Sequence, residues 1–444
     1  MADKEHTDPE RMEKIVSLCK RRGFIYQSAE LYGGLNGCWD YGPLGVEMKR
    51  NLKDYWWRKN VQERDDIVGL DGSILTHQAV LNASGHVGGF SDPMVDCRHC
   101  KARFRADNLE GMQCPKKPSC TPGEGADCDL TEAKEFNLMF QTTMGASADD
   151  NDPNAIAYLR PETAQSIFTQ FKNVLDTNRL KIPFGIAQIG KAFRNEINPR
   201  NFTFRSREFE QMEVEYFCRP EDGMRLTDEW LEARLTFYEE IGVPREKLHV
   251  LDIPDGERAH YSKKTYDIEY DFPFGRQELE GVAYRTDYDL SKHQEHSGKP
   301  IEYFDEQTKE KFLPHVVEPS AGCDRTILAL IFIGILPLLL GVSMWLQQKL
   351  NPAPTDPTQQ MIFAWMPWVF MFMLGGFASG LVVYWIANNT ITFTQQYAIM
   401  RSQGYKPDVF GNIRSGFKKD KGTSDKPEGK SGKANKPSGG SGKK

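Results

Sequence analysis

Apolar and polar positions alternate with different periods along the 444-residue chain, and each period predicts a kind of element. Asp8-Pro9-Glu10 reads as a helix cap followed by a first-turn proline, opening an amphipathic helix to about Arg22. Met48, Leu52, Tyr55 and Trp56 fall at helical spacing and predict a second helix from Leu44 to about Val61. From Ile182 to Phe217 apolar residues alternate on either side of a polar, Arg-rich centre, residues 195–201, as expected of two antiparallel strands joined by a long loop. A helix is predicted over 224–242 and several short strands from Leu248 to Val317. Strands in runs with intervening helices, without regular βαβ alternation, predict an antiparallel α+β domain. No internal repeat is present.

The pattern then loses its polar half. Residues 326–348 form 23 positions without a charge, and 357–400 form 44. Roughly 20 residues at 1.5 Å each span a bilayer core of about 30 Å. The first run is long enough to cross once and the second twice, turning at residues 375–380. After Arg401 the chain becomes rich in Lys, Gly, Ser and Pro, the composition of a disordered, solvated tail.

Charge sharpens these boundaries. The formal net charge of −6 hides 43 basic and 57 acidic residues over 1–325, only Lys349 and Asp356 over 326–400, and 12 basic against 4 acidic residues over 401–444. Gly, Pro and Cys usage excludes collagen-like, wholly disordered and disulfide-scaffold classes. The N-terminus alternates charges and has no apolar core of a secretory signal, so the first block is expected in the cytoplasm, where nine cysteines are thiols or metal ligands rather than bridges.

The most informative stretch is Phe193-Arg194-Asn195-Glu196 followed by Phe204-Arg205-Ser206-Arg207-Glu208-Phe209-Glu210-Gln211-Met212-Glu213. An Arg on one strand, a basic loop and an aromatic on the returning strand can hold a nucleotide, cations facing phosphates and a ring stacking on the base. A second island, Glu318-Pro319-Ser320-Ala321-Gly322-Cys323-Asp324-Arg325, presents another Arg beyond a glycine turn.

With these residues, 1–330 resembles the catalytic domain of the homodimeric glycyl-tRNA synthetases of class II. Tyr41-Gly42-Pro43-Leu44-Gly45 and Asp66-Ile67-Val68-Gly69-Leu70 are similar to motif 1, which implies a homodimer. Ala83-Ser84-Gly85-His86, Arg160-Pro161-Glu162-Thr163-Ala164-Gln165 and Glu278-Leu279-Glu280-Gly281 are further signatures. The resemblance implies an α+β fold, the class II antiparallel sheet with flanking helices. It also implies ATP-dependent activation of glycine to glycyl-adenylate and transfer to tRNA(Gly). Glycine carboxylate attacks the α-phosphate directly, so positioning and charge neutralisation are the protein's task. ATP is implied to bind among Arg194, Asn195, Glu196, Phe204, Arg205, Arg207, Glu208, Phe209, Glu278, Leu279, Gly322 and Arg325. In that set Arg194 takes the α-phosphate, Phe209 stacks on adenine, Arg325 grips the γ-phosphate and Glu278 holds Mg²⁺. Glycine is implied to bind among Arg105, Glu162, Phe209, Gln211, Glu213, Glu318 and Ser320, with carboxylates around its ammonium.

Cysteines cluster over residues 97–128, a Cys-rich insertion. Cys97 and Cys100 form a CxxC, and Cys114 with Cys120 completes a candidate tetrahedral Zn²⁺ set; Cys128 is the other choice for the fourth ligand, and free thiols remain open.

Residues 332–415 resemble the C-terminal end of YidC-type membrane protein insertases, in Leu346-Gln347-Gln348-Lys349-Leu350-Asn351-Pro352-Ala353-Pro354, Asp356-Pro357-Thr358-Gln359-Gln360 and Gly380-Leu381-Val382-Val383-Tyr384-Trp385-Ile386-Ala387-Asn388-Asn389. The expected organisation is a catalytic domain over 1–330, insertase-like membrane helices over 331–400 and a basic cytoplasmic tail over 401–444, without an anticodon-binding domain. A domain and a basic tail that both stay inside require an even number of crossings. The hairpin 361–399 is therefore expected to contact the lipid bilayer of a bacterial inner membrane, with 326–346 serving as the buried motif 3 helix or lying at the interface. The alternative is an insertase fragment or plain anchor carrying an inert synthetase part, or two truncated genes joined by deletion or assembly error.

Overall fold

The computed structural model describes residues 8–402 apart from 107–108, 110–113, 115–120, 125–127, 146–154, 351–364, 368 and 370–378. The chain forms two compact units, Met1–Leu336 and Pro337–Lys444.

The first unit opens with α1 (Pro9–Arg22), where the Asp8 side chain accepts from the Arg11 N–H at 3.0 Å and Gly23 closes the helix in the left-handed conformation. Helix α2 (Pro43–Trp57) continues through a π turn, Arg58–Gln62, so the helix expected to about Val61 is present. Strand β1 (Ile67–Gly69), helix α3 (Ala164–Asn178) and the long strands β2 (Phe184–Phe193) and β3 (Glu208–Cys218) follow. Next come α4 (Gly223–Glu240), β4 (Leu248–Asp252), β5 (Lys264–Phe272) and β6 (Gly275–Thr286). Helix α5 (Tyr288–Ser297), β7 (His315–Gly322) and the start of α6 (Cys323–Leu350) complete the unit.

The seven strands form one sheet in the order β4-β5-β6-β7-β3-β2-β1. Every neighbouring pair is antiparallel except β1 with β2. The β2–β3 hairpin expected between Ile182 and Phe217 runs from Phe184↔Phe217 to Phe193↔Glu208.

Alternation along these strands gives the sheet two unlike faces. Met212, Val214 and Tyr216 of β3, Val282 and Tyr284 of β6, and Val317 and Ala321 of β7 join the main core with Trp230, Leu235 and Tyr238 of α4. The intervening positions are polar or small and build the site. The first turns of α6 belong to the same core: Ile327, Leu328, Ala329, Ile331 and Phe332 are buried in it.

Two three-stranded sheets were not foreseen. One joins Leu75–His77, Gln141–Thr143 and Ile156–Leu159, and the other joins Ser91–Asp96, Arg103–Arg105 and Lys134–Asn137. The second carries the cysteine-rich insertion.

In the second unit the chain forms α7 (Ser379–Ser402), and Asn389 Nδ2 donates to Ser343 Oγ at 3.2 Å. Among the described residues no helix is long and apolar enough to cross a membrane. Of the expected hairpin over 361–399, residues 361–364, 368 and 370–378 lie outside the described residues, as does the tail after 402.

Candidate functional site

The polar face of the sheet is organised in cross-strand rungs. One rung sets Asp267 opposite Gly281, Gly281 opposite Ser320, Ser320 opposite Glu213 and Glu213 opposite Gln188. The neighbouring rung sets Thr265 opposite Ala283 and Ala283 opposite Glu318. Gly281 and Ala283 at the centre have almost no side chain, so taller neighbours on both sides wall a cavity of about 600 Å³.

Its inner end is acidic. Glu213, 1% exposed, accepts from Ser320 Oγ at 2.8 Å and from Thr163 Oγ1. Glu162 comes from the turn before α3, where Gln165 Nε2 donates to it at 2.9 Å and His86 Nε2 lies 3.5 Å away. Burial opposes ionisation of Glu162, but His86 and Arg285 outweigh it and hold its pKa well below the usual carboxylate range. Glu318 accepts from Arg285 Nη1 at 2.8 Å, while Arg285 also donates twice to Asp289, at 2.8 and 3.0 Å. Arg160 is buried as a brace, donating to the Lys191 and Gly72 carbonyls at 2.6 and 2.9 Å. Its guanidinium occupies the space where a Cβ on Gly190 would sit, which requires glycine there.

The outer part is cationic and aromatic. Arg194 donates to the Pro161 carbonyl at 3.1 Å and lies 5.3 Å from the Phe209 ring centroid. Arg325 lies 4.5 Å from the Phe204 ring and donates to Glu278 Oε2 at 3.0 Å. Asp324 anchors the first turn of α6: it accepts from Tyr41 Oη at 2.5 Å, Lys49 Nζ at 2.8 Å and the Glu210 N–H at 2.7 Å. The motif 1 region, β3 and the arginine-bearing turn are thereby tied at one point. Asp267 and Glu278 face the same spot, since a Cβ on Gly281 would lie 3.7 Å from Glu278 Oε1 and 3.9 Å from Asp267 Oδ1. Burial, then the charges of Glu278 and Glu269, push the Asp267 carboxyl up to about 7.

Of the residues expected at the site, Arg194, Glu196, Phe204, Arg205, Phe209, Glu278, Leu279, Gly322 and Arg325 line the cavity, as do Glu162, Gln211, Glu213, Glu318 and Ser320. Asn195, Arg207, Glu208 and Arg105 do not. Arg207 braces the loop, donating to the Glu196 and Asn36 carbonyls at 2.9 and 2.6 Å. Glu208 begins the opposite parity of β3 and pairs with Lys191. Arg105 ends a strand of the cysteine-rich sheet. Asn195 bonds through its backbone to the Leu138 carbonyl at 2.6 Å.

The cysteine cluster gathers Cys97, Cys100, Cys114 and Cys128. Cys97 Sγ lies 3.8 Å from Cys128 Sγ, and backbone N–H groups of Cys100, Ala102 and Gly123 donate to the sulfurs of Cys97, Cys100 and Cys128 at 3.4, 3.4 and 3.1 Å. Cys120 lies outside the described residues. The Cys100 N–H, opposed by burial, brings the Cys97 thiol down to about 7.

Comparison with known proteins converges on this arrangement. Residues 143–333 match the tRNA synthetase class II core domain (G, H, P, S and T), and residues 288–406 match the 60Kd inner membrane protein family. A glycine–tRNA ligase of Treponema denticola is 52% identical over 328 residues, covering 72% of this chain and 70% of that protein. Those of Thermus thermophilus and Thermobifida fusca are 49% and 50% identical, over 72% of this chain and 73% and 71% of theirs. The chain belongs to the glycine–tRNA ligase family. As a glycine–tRNA ligase family member it also carries cavity residues that sequence reasoning missed: Asp267, Tyr261, Arg258 and Arg285. For Arg285 a signal existed, a lone charge closing the apolar run Val282-Ala283-Tyr284. The two family matches overlap over 288–333, which here contains β7 and the buried start of α6.

Proposed function

We propose that the cavity activates glycine with ATP to glycyl-adenylate and passes the glycyl group to tRNA(Gly). One observation carries this reading: Glu213, Glu318 and Ser320 on one sheet face and Glu162 from the turn before α3 gather as ammonium acceptors beside Arg194 and Arg325 in one cavity. The acidic end binds the glycine ammonium and orients its carboxylate outward. Arg194 meets the α-phosphate, where negative charge concentrates during in-line attack, and Phe209 supports adenine. Arg325 exchanges its Glu278 partner for the γ-phosphate, which frees the Glu278 carboxylate. Rejection of larger amino acids requires that the acceptors leave no room beside the glycine Cα. The donor set of Glu278 with Asp267 fits Mg²⁺, because two converging carboxylates without a full complement of cations suit a hard divalent ion. When bound, Mg²⁺ neutralises phosphate charge and orients the triphosphate.

The finer reading has three parts. The chain dimerises through the motif 1 region, supported by the exposed apolar side chains Leu31, Tyr32, Leu35, Leu44 and Val46 around it. Zn²⁺ is held by Cys97, Cys100 and Cys114, with Cys128 as the fourth ligand favoured by its 3.8 Å approach to Cys97. Residues 361–399 tether the enzyme to the bilayer of a bacterial inner membrane, supported by the match over 288–406.

Glycine-dependent ATP–pyrophosphate exchange tests the central reading. Wild type should exchange and Arg194→Ala should lose at least about 100-fold, the scale for removing a donor aimed at developing charge. Equal exchange by the two proteins would overturn the assignment of Arg194.

A further inference from the structure

Past Glu213 the cavity floor meets a carboxylate that the proposed reaction does not use. Glu215 lies two residues further along the same face of β3 and is fully buried. The register that pairs Glu213 with Ser320 and Tyr216 with Val317 sets it opposite Glu318, and Ile186 stands opposite it on β2. One carboxylate oxygen from each of Glu213, Glu215 and Glu318 lies within 4.8 Å of the other two.

The three are not equivalent. Glu213 accepts from Ser320 and Thr163, and Glu318 accepts from Arg285. Neither oxygen of Glu215 has a hydrogen-bond partner. The charged groups facing it are Glu213 on its own strand, Glu318 on β7, Arg285 on β6 and Asp289 on α5. Arg285 has already placed its donors on Asp289 and Glu318. A carboxylate can only accept, and no donor reaches Glu215; a carboxylic acid can donate, and two carboxylates are within reach of a small side-chain rotation. Burying an unpaired anion beside two others is far costlier than binding a proton.

We propose that Glu215 is a positioning residue of the glycine subsite, a neutral carboxylic acid whose O–H is donated to the Glu318 carboxylate. That bond holds Glu318 and Glu213 side by side facing the ammonium and spares the pocket one negative charge. Burial, followed by the charges of Glu318 and Glu213, pushes Glu215 well above the ordinary carboxylate range; burial pushes Glu318 and Glu213 the same way, but Arg285 on the first and Thr163 and Ser320 on the second favour their charged forms, and Glu215 has no such donor. The functional half of the proposal rests on the glycine-activation reading.

The test uses the full chain with Glu215→Gln and Glu215→Leu. Glutamine keeps a neutral donor, so its KM for glycine should stay within about threefold of wild type. Leucine removes the donor and lets the two carboxylates repel, so KM for glycine should rise at least about tenfold with KM for ATP unchanged. Infrared difference spectra at neutral pH should show the carbonyl stretch of a protonated carboxylic acid in wild type that is missing in Glu215→Gln. A wild-type spectrum without that band overturns the proposal, as does a glutamine variant as impaired as a folded leucine variant. A folded leucine variant with unchanged KM for glycine overturns the positioning role. If wild type shows no glycine-dependent exchange, the glycine-activation reading fails, while the infrared band still decides the protonation state of Glu215. If the leucine variant does not fold, the glutamine kinetics and the spectrum decide.

Discussion

Replacing Arg285 with methionine removes a guanidinium, 2% exposed, that makes three hydrogen bonds to two buried carboxylates. Asp289 is 2% exposed and Glu318 8%, so neither regains much water when the cation leaves. Breaking such a pair by deleting one partner costs about 3–5 kcal/mol, because the penalty is the uncompensated charge rather than the lost contact. Methionine roughly preserves the volume beneath Tyr261, whose ring lies 4.0 Å from the guanidinium carbon, so packing loss is a smaller contribution. The cost should depend on pH. Burial, with the charges of Glu213 and Glu162, already pushes Glu318 above the ordinary carboxylate range against the pull of Arg285; losing Arg285 raises it further, so the folded variant binds more protons and its stability falls further as pH rises. Urea unfolding of Arg285→Met and wild type at pH 5 and pH 8 should give a larger deficit at pH 8. Arg225→Met, which removes exposed pairs to Asp222 and Glu229, should change stability by no more than about 0.5 kcal/mol and serves as control. A deficit below about 1 kcal/mol that is flat with pH would show that Arg285 is not compensating buried charge.

Asp267, raised to about 7 in the folded protein, keeps a proton that the unfolded chain releases near pH 4, so stability should decline as pH rises from about 4 to 7. Asp267→Asn should flatten that part of the urea-derived stability profile and weaken Mg²⁺-dependent ATP binding measured by calorimetry. Leu328→Ala, at a fully buried position in the main core, should cost about 2–5 kcal/mol in urea unfolding; a loss under about 1 kcal/mol would mean that the start of α6 is not packed on the sheet. Purified protein should carry about one zinc per chain by elemental analysis, and Cys128→Ser should abolish it; retention by Cys128→Ser and loss by Cys120→Ser would restore Cys120 as the fourth ligand.

Where structure follows from local chemistry, the sequence was readable. Asp8-Pro9 set the start of α1, and strict alternation around residues 195–201 marked β2 and β3. Three-residue strands such as Leu75–His77 and Gln141–Thr143 are too short to show a period, and both pair with Ile156–Leu159, which for the first lies far along the chain. Helix α5 escaped notice because Asp289, Ser291, Lys292, His293 and Gln294 make it polar, although Asp289 and His293 are buried by partners on other elements. The run after Thr326 is apolar all round, a pattern shared by a membrane span and a core helix; the burial of Ile327, Leu328 and Phe332 identifies its first turns as core.

Family signatures led mostly to residues that line one cavity on one face of the sheet, but not to all of its lining. Phe209, Gln211 and Glu213 could be grouped because a strand repeats every two residues. Arg207 and Glu208 are adjacent to that series in sequence yet turn to a loop carbonyl and to Lys191. Asp267 and Glu215 enter only through cross-strand register, which brings residues as far apart as Glu213 and Ser320 into one rung.

Quenching the full-length protein after incubation with ATP, Mg²⁺ and glycine, without tRNA, and identifying the bound nucleotide by mass spectrometry tests the central claim directly. Glycyl-adenylate should accumulate with glycine, stay far below that level with alanine or serine, and disappear in Arg194→Ala. A folded, ATP-binding protein that forms no glycyl-adenylate would contradict the account.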